Sequence, residues 1–283
     1  MTDQASLTLV RQALAEDLAG FGDVTSAWTV PVELQGQAEI IAREDLVLCG
    51  VPLAALVMRE IDPEVEFSPL ACDGTALGPR EPVALIQGSV RSILTAERTM
   101  LNFLSHLSGV ATESRRFAAA VAGLQAKVVD TRKTTPGLRA WEKRAVVLGG
   151  CRNHRFGLYD MVLIKNNHLT AAGGVWEAIR RAKEACPHTM KIEVEVESAD
   201  DLCEAIAAGA DVVMLDNQSP GSLRALVELA RSIRPEVVLE ASGGVTIENV
   251  RAVAESGVDV ISSSTITMGA PAANLSLTLR PVV

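Results

Sequence analysis

In the run Ile192-Glu193-Val194-Glu195-Val196-Glu197, acidic and apolar residues alternate. An extended chain turns all three carboxylates to one face, and burying them is costly. Asp216 closes the next apolar run, Val212-Val213-Met214-Leu215. Hard carboxylate oxygens collected near cations suit Mg²⁺ carried in with a diphosphate, with at least one of the three glutamates near the metal and Asp216 beside it. Simple exposure of strand-flanking acids is the plainer alternative.

The matching cations lie upstream, where Asp130-Thr131-Arg132-Lys133, Asn153-His154-Arg155 and Lys165-Asn166-Asn167-His168 concentrate hydrogen-bond donors. Between Asp130 and Lys165 there are eight Lys or Arg against three acids, so this stretch is +5 in a chain of −9 and the remainder is −14. Guanidinium groups recognise carboxylates bidentately, so a small dicarboxylate held in a cleft is a natural ligand. Neighbouring cations would depress the pKa of His154. Ser242-Gly243-Gly244 opens a turn before a helix with Thr246 as its expected cap, and its backbone N–H groups can cradle a phosphate. Ser262, Ser263 and Ser264 add hydroxyl donors after the following apolar run.

These residues share a placement. After about residue 125, short apolar runs alternate with helical stretches, and Lys165, Glu195, Asp216, Ser242 and Ser263 each fall where a run ends. Such alternation indicates a parallel sheet, and its repetition favours an α/β barrel with working residues at the strand C-termini. Upstream, residues 5–18 have amphipathic helical spacing, 35–90 read as short strands and turns, and a helix over 96–109 is expected to end at Gly109.

Composition narrows the class. With 283 residues, 48% hydrophobic and 22% charged, the chain suits an ordinary globular protein, and the net charge of −9 argues against nucleic acid as a partner. No apolar run has spanning length and the N-terminus does not resemble a signal peptide, so a cytoplasmic location is expected. The five cysteines lack paired spacing, which excludes a zinc or disulfide framework and predicts mostly buried thiols.

The segments DTRKTTPGLRAWEK, NHRFGLYD, LIKNNH, EVEVES, AGADVVMLDN and LEASGGVTIENV, with EDLAGFGDVTS and AERTMLNFLSHLSGVAT before them, resemble the quinolinate phosphoribosyltransferase family. The resemblance covers nearly the whole chain. It implies an α/β fold: an N-terminal α/β sandwich domain (1–107, joined by the tail 270–283) and an incomplete, TIM-like α/β barrel (108–269). It further implies a reaction of quinolinate with phosphoribosyl pyrophosphate and Mg²⁺, yielding nicotinate mononucleotide, pyrophosphate and CO₂. A homodimer is implied, with Arg98 reaching the partner's site. Arg132, His154, Arg155 and Lys165 would hold quinolinate, and Lys133 would touch both substrates. Glu195 and Asp216 would position the Mg²⁺–diphosphate and ribose. Ser242, Gly243 and Gly244 would bind the 5′-phosphate, with Ser263 and Ser264 beside them.

The chain departs from the family pattern at Asn166, where the family usually has Asp. It departs again over Ser263–Met268, where the family usually reads Val-Gly-Ala-Leu-Thr-His. Two other readings compete: a paralogue associated with molybdenum transport, and a non-catalytic anion-binding barrel. The complete set of basic clamp residues argues against the first, and the retained Glu195 and Asp216 against the second.

Overall fold

The computed structural model describes residues 4–282. In chain order the elements begin α1 (Gln4–Leu18), α2 (Val24–Thr29), β1 (Gln35–Ala42), β2 (Leu46–Val47), α3 (Val51–Ile61), β3 (Glu66–Pro69), β4 (Ala76–Leu77), β5 (Pro82–Ser89) and α4 (Val90–Ala120). They continue β6 (Lys127–Val129), α5 (Arg139–Gly149), β7 (Val162–Ile164), α6 (Asn166–Ala172), α7 (Val175–Ala185), β8 (Ile192–Val196) and α8 (Ala199–Ala208). The last are β9 (Val212–Asp216), α9 (Pro220–Ile233), β10 (Val238–Ser242), α10 (Val250–Ala254), β11 (Val260–Ser262) and β12 (Leu275–Val282).

The chain forms two compact units. The first comprises residues 1–115, 136–149 and 270–283, and the second comprises 116–135 and 150–269. In the first, a four-stranded antiparallel sheet has the order β12-β1-β5-β3, so the C-terminal strand returns to pair with β1 along its whole length. The helix expected to end at Gly109 runs from Val90 to Ala120 instead. Gly109 is not a cap. A Cβ there would lie 2.1 Å from the Pro271 carbonyl oxygen, so glycine is needed for the close approach of the returning tail. Helix α5 also clusters with the first unit, where its fully buried Glu142 meets His106 Nε2 at 2.8 Å. Of the basic stretch read from the sequence, Arg139, Lys143 and Arg144 lie on α5 and cluster with the first unit.

The second unit holds a six-stranded parallel sheet, β6-β11-β10-β9-β8-β7, with strands and helices alternating from β7 to β11. An isolated parallel bridge, Val129 to Arg152, extends the β6 edge. Every residue of β8 is buried, as expected of a parallel strand covered on both faces. The helices start promptly after the strand rims because the sequence supplies caps. Ser198 accepts from Asp201 N before α8, and Ser219 accepts from Ser222 N before α9, with Pro220 at its first turn. The helix after the glycine turn begins at Val250 with Asn249 as its cap, so Thr246 is not the cap. Its N–H instead donates to Asn249 Oδ1 at 2.9 Å.

Gly109→Ala is expected to lower folding stability by about 2 kcal/mol or more, because neither the helix nor the tail backbone can yield the needed space. Urea denaturation of the two proteins measures this directly.

Candidate active site

The site is built on the C-terminal rim of the parallel sheet. Lys165 follows β7, Glu195 lies on β8, Asp216 ends β9, Ser242 ends β10 and Ser262 ends β11. Two cavities open there, both lined by residues of the second unit. The smaller, about 330 Å³, is lined by Arg132, His154, Arg155 and Glu240, with Leu163 and Met214 as apolar walls. The larger, about 420 Å³, is lined by Glu195, Asp216, Asn217, Gly243, Gly244 and the 263–265 turn. Thr131, Lys133, Lys165, Ser242 and Ser262 line both, so two lysines stand at the boundary.

In the larger cavity Lys165 Nζ is ion-paired with Glu195 Oε2. One residue past Lys165 and two past Glu195, Asn166 Nδ2 donates to Glu197 Oε1 at 2.5 Å. An aspartate at 166 would set two carboxylates together, so the departure at Asn166 produces a rung between the ends of β7 and β8. Burial, then the neighbouring Glu195 carboxylate, raises the Asp216 pKa above its ordinary value, against the opposing pull of Lys165. Asn217, in the left-handed region at φ 52°, donates Nδ2 to Asp216 Oδ2 at 2.6 Å. It also fills the place of a side chain on Gly243, whose Cβ would lie 2.2 Å from Asn217 Oδ1. Gly243 and Gly244, at φ 90° and 62°, thus expose backbone to the cavity.

The altered run 263–268 is an ordered turn. Ser263 Oγ donates to Val245 O at 2.9 Å and accepts from Thr265 N–H at 3.2 Å. Thr267 Oγ1 donates to the Lys133 carbonyl at 2.8 Å, tying the boundary lysine's backbone to the turn. Ser264 lines the larger cavity.

The smaller cavity departs most from sequence expectation. His154 lies beside two buried carboxylates, Glu193 Oε2 at 3.2 Å and Glu240 Oε2 at 3.3 Å from its Nε2. Burial opposes a charged ring, but the Glu193 and Glu240 carboxylates overcome it, and the His154 pKa is pushed up to about 10 rather than depressed. Sequence neighbours suggested cations; the spatial neighbours are acids. Nδ1 accepts the Arg155 backbone N–H at 2.7 Å, so the ring proton sits on Nε2. In the same cluster burial raises the Glu193 pKa, against the opposing pull of His154.

Among the described residues, His154, Glu193 and Glu240 form the group of three possible metal ligands, with ligand atoms within 4.8 Å of one another. Sequence reading missed Glu240, although an acid inside the apolar run Val238-Leu239-Glu240-Ala241 was a visible signal. Arg155 Nη1 donates to the Met161 carbonyl at 3.0 Å. Arg98 is exposed on α4 in the first unit. Cys49 and Cys151 are buried, Cys186 and Cys203 half-buried and Cys72 exposed, so fewer of the thiols are buried than composition suggested.

A parallel α/β unit with a cation-lined cavity abutting an acid-and-glycine cavity has the chemistry to receive an organic anion beside a phosphorylated partner. Residues 110–278 match the model of the quinolinate phosphoribosyl transferase C-terminal domain, and residues 23–108 match that of the N-terminal domain. The chain belongs to the quinolinate phosphoribosyl transferase family. It is 41% identical over 266 residues to the nicotinate-nucleotide pyrophosphorylase (carboxylating) of Mycobacterium leprae, covering 93% of each chain. It is 36% identical over 284 residues to the tobacco (Nicotiana tabacum) quinolinate phosphoribosyltransferase (decarboxylating) 1b, covering 95% of this chain and 81% of that one. The nicotinate-nucleotide pyrophosphorylase structure from Francisella tularensis superposes with a TM-score of 0.92 at 40% identity, covering 99% and 98% of the two chains.

The His154 cluster makes a pH prediction. A folded-state pKa raised above 6.5 to about 10 contributes stability that is full below 6.5 and is lost as pH rises through 10. The urea midpoint should fall between roughly pH 6.5 and 10, and His154→Phe should flatten that fall. An equal alkaline fall in both proteins would contradict it.

Proposed function

We infer that this chain converts quinolinate and phosphoribosyl pyrophosphate to nicotinate mononucleotide, pyrophosphate and CO₂, a step of de novo NAD biosynthesis. The observation that carries this reading is the pair of adjoining cavities with Lys133 and Lys165 at their boundary. The smaller cavity takes the pyridine, its ring between Leu163 and Met214 and its carboxylates on Arg132, Arg155 and Lys165. The larger takes phosphoribosyl pyrophosphate, its 5′-phosphate on Ser242, Gly243, Gly244, Ser263 and Ser264.

Glu195 and Asp216 fit Mg²⁺ as hard oxygen donors whose mutual repulsion a divalent cation relieves. Bound there with the substrate, Mg²⁺ would offset the charge of the departing pyrophosphate. Lys133 and Lys165 neutralise the same leaving group from the cavity boundary. Clamped carboxylates hold the pyridine nitrogen in line as its lone pair bonds to the anomeric carbon and the C–O bond to pyrophosphate breaks. The positive charge of the resulting pyridinium stabilises the electron pair left on the adjacent ring carbon when the C–CO₂⁻ bond breaks, and that carbon uses the pair to take a proton.

Purified protein given quinolinate, phosphoribosyl pyrophosphate and Mg²⁺ should form nicotinate mononucleotide and CO₂ in equal amounts. Nicotinic acid in place of quinolinate should yield none. Glu195→Ala should abolish turnover while sparing anion binding, whereas a non-catalytic anion-binding barrel would show no turnover to lose.

We further propose a homodimer, in which the exposed Arg98 of one protomer completes its partner's quinolinate site, and a cytoplasmic location. Among the described residues no helix is long and apolar enough to cross a membrane. Arg98→Ala and Glu195→Ala proteins, each inactive alone, should regain about a quarter of wild-type activity when allowed to exchange subunits. No recovery in a mixture shown to contain hybrid dimers would contradict the shared site.

A further inference from the structure

The reaction described above makes no use of two buried carboxylates in the parallel unit. Glu193 on β8 and Glu240 on β10 stand on either side of β9, with 0% and 2% of their surface exposed. Each turns one oxygen to His154 Nε2, at 3.2 and 3.3 Å. Neither Glu193 oxygen accepts a hydrogen bond among the described residues, nor does Glu240 Oε1, so the Glu193 contact with His154 is one of charge and proximity. Apolar side chains in the same space would be neutral or stabilising, so packing alone does not explain two acids there.

The ring that they face is engaged on its other side as well. His154 Nδ1 accepts the Arg155 N–H at 2.7 Å, and the His154 N–H donates to Asp130 Oδ1 at 2.9 Å. Both ring nitrogens therefore serve the protein. Turning the ring over would present carbon to the carboxylates and leave the Arg155 N–H without its acceptor. The same geometry disfavours a metal on these three residues. A histidine that ligates through Nε2 keeps its proton on Nδ1, where the Arg155 N–H already points.

We propose that Glu193 and Glu240 are positioning residues for the substrate clamp, acting through His154 to set the direction of Arg155. Carboxylates on two separate strands face Nε2 and leave the ring one orientation, the ring accepts the Arg155 backbone N–H, and from that backbone the guanidinium, bonded to the Met161 carbonyl, lines the cavity. His154 is then the pivot of the clamp as well as part of the cavity wall. This inference rests on the reading of the smaller cavity as the quinolinate site.

Calorimetric titration of quinolinate and of Mg²⁺–phosphoribosyl pyrophosphate, each separately, tests it in the full-length protein. Glu240→Leu should weaken quinolinate binding about tenfold or more, as losses of outer partners of a binding histidine do. Its phosphoribosyl pyrophosphate affinity should stay within about twofold, while its urea midpoint should fall, since removing one partner of a buried charged cluster leaves the other uncompensated. Glu240→Gln keeps an oxygen toward the ring and should restore most of the quinolinate affinity. Should Glu240→Leu not fold, Glu240→Met and Glu193→Leu carry the same comparison.

Unchanged quinolinate affinity in the folded apolar variants, or equal weakening of both ligands, overturns the inference alone. Wild-type protein that binds phosphoribosyl pyrophosphate but not quinolinate overturns the functional reading, and this inference with it.

Discussion

A parallel strand followed by its helix can deliver a side chain to a shared rim only at the strand's C-terminal end, and the second unit is organised by that constraint. Lys165, Glu195, Asp216, Ser242 and Ser262 are far apart in sequence and come from five strands, yet they border one continuous space. The pairing of β8, β9 and β10 fixes their spacing, with Glu195 beside Met214 and Asp216 beside Ser242 in register. Helices that start at once, under Ser198 and Ser219 caps, keep the rim short and open.

On that rim the charges are arranged in opposition. Lys165 is matched to Glu195, Asn166 to Glu197 and Asn217 to Asp216, so each acid at the mouth has a donor before any ligand arrives. Deeper in, the signs reverse, and two carboxylates surround one imidazole. Such an arrangement is poor for stability and good for geometry: the groups that bind anions cannot relax toward each other, because each is already held.

The rim was legible in the sequence because the strand period and the strand–helix alternation place polar residues without knowledge of tertiary contacts. Features set by distant partners were not. Gly109 resembles a helix cap, and only the tail at Pro271 shows why the helix continues past it. Arg139, Lys143 and Arg144 are adjacent in sequence to the clamp but sit on a helix of the other unit. His154 was judged by the residues beside it in the chain, whereas its ionisation is set by acids on β8 and β10. Glu240 was the recoverable miss, since an acid inside a buried apolar strand is rarely there without a partner.

The division of labour between the two cavities is tested most directly by a crystal structure of the protein with quinolinate bound. We expect the ring between Leu163 and Met214, its carboxylates on Arg132, Arg155 and Lys165, and its nitrogen facing the cavity that holds Glu195 and Asp216. Quinolinate seated among Gly243, Gly244 and the serine turn, or with its nitrogen turned away from that cavity, would contradict the assignment.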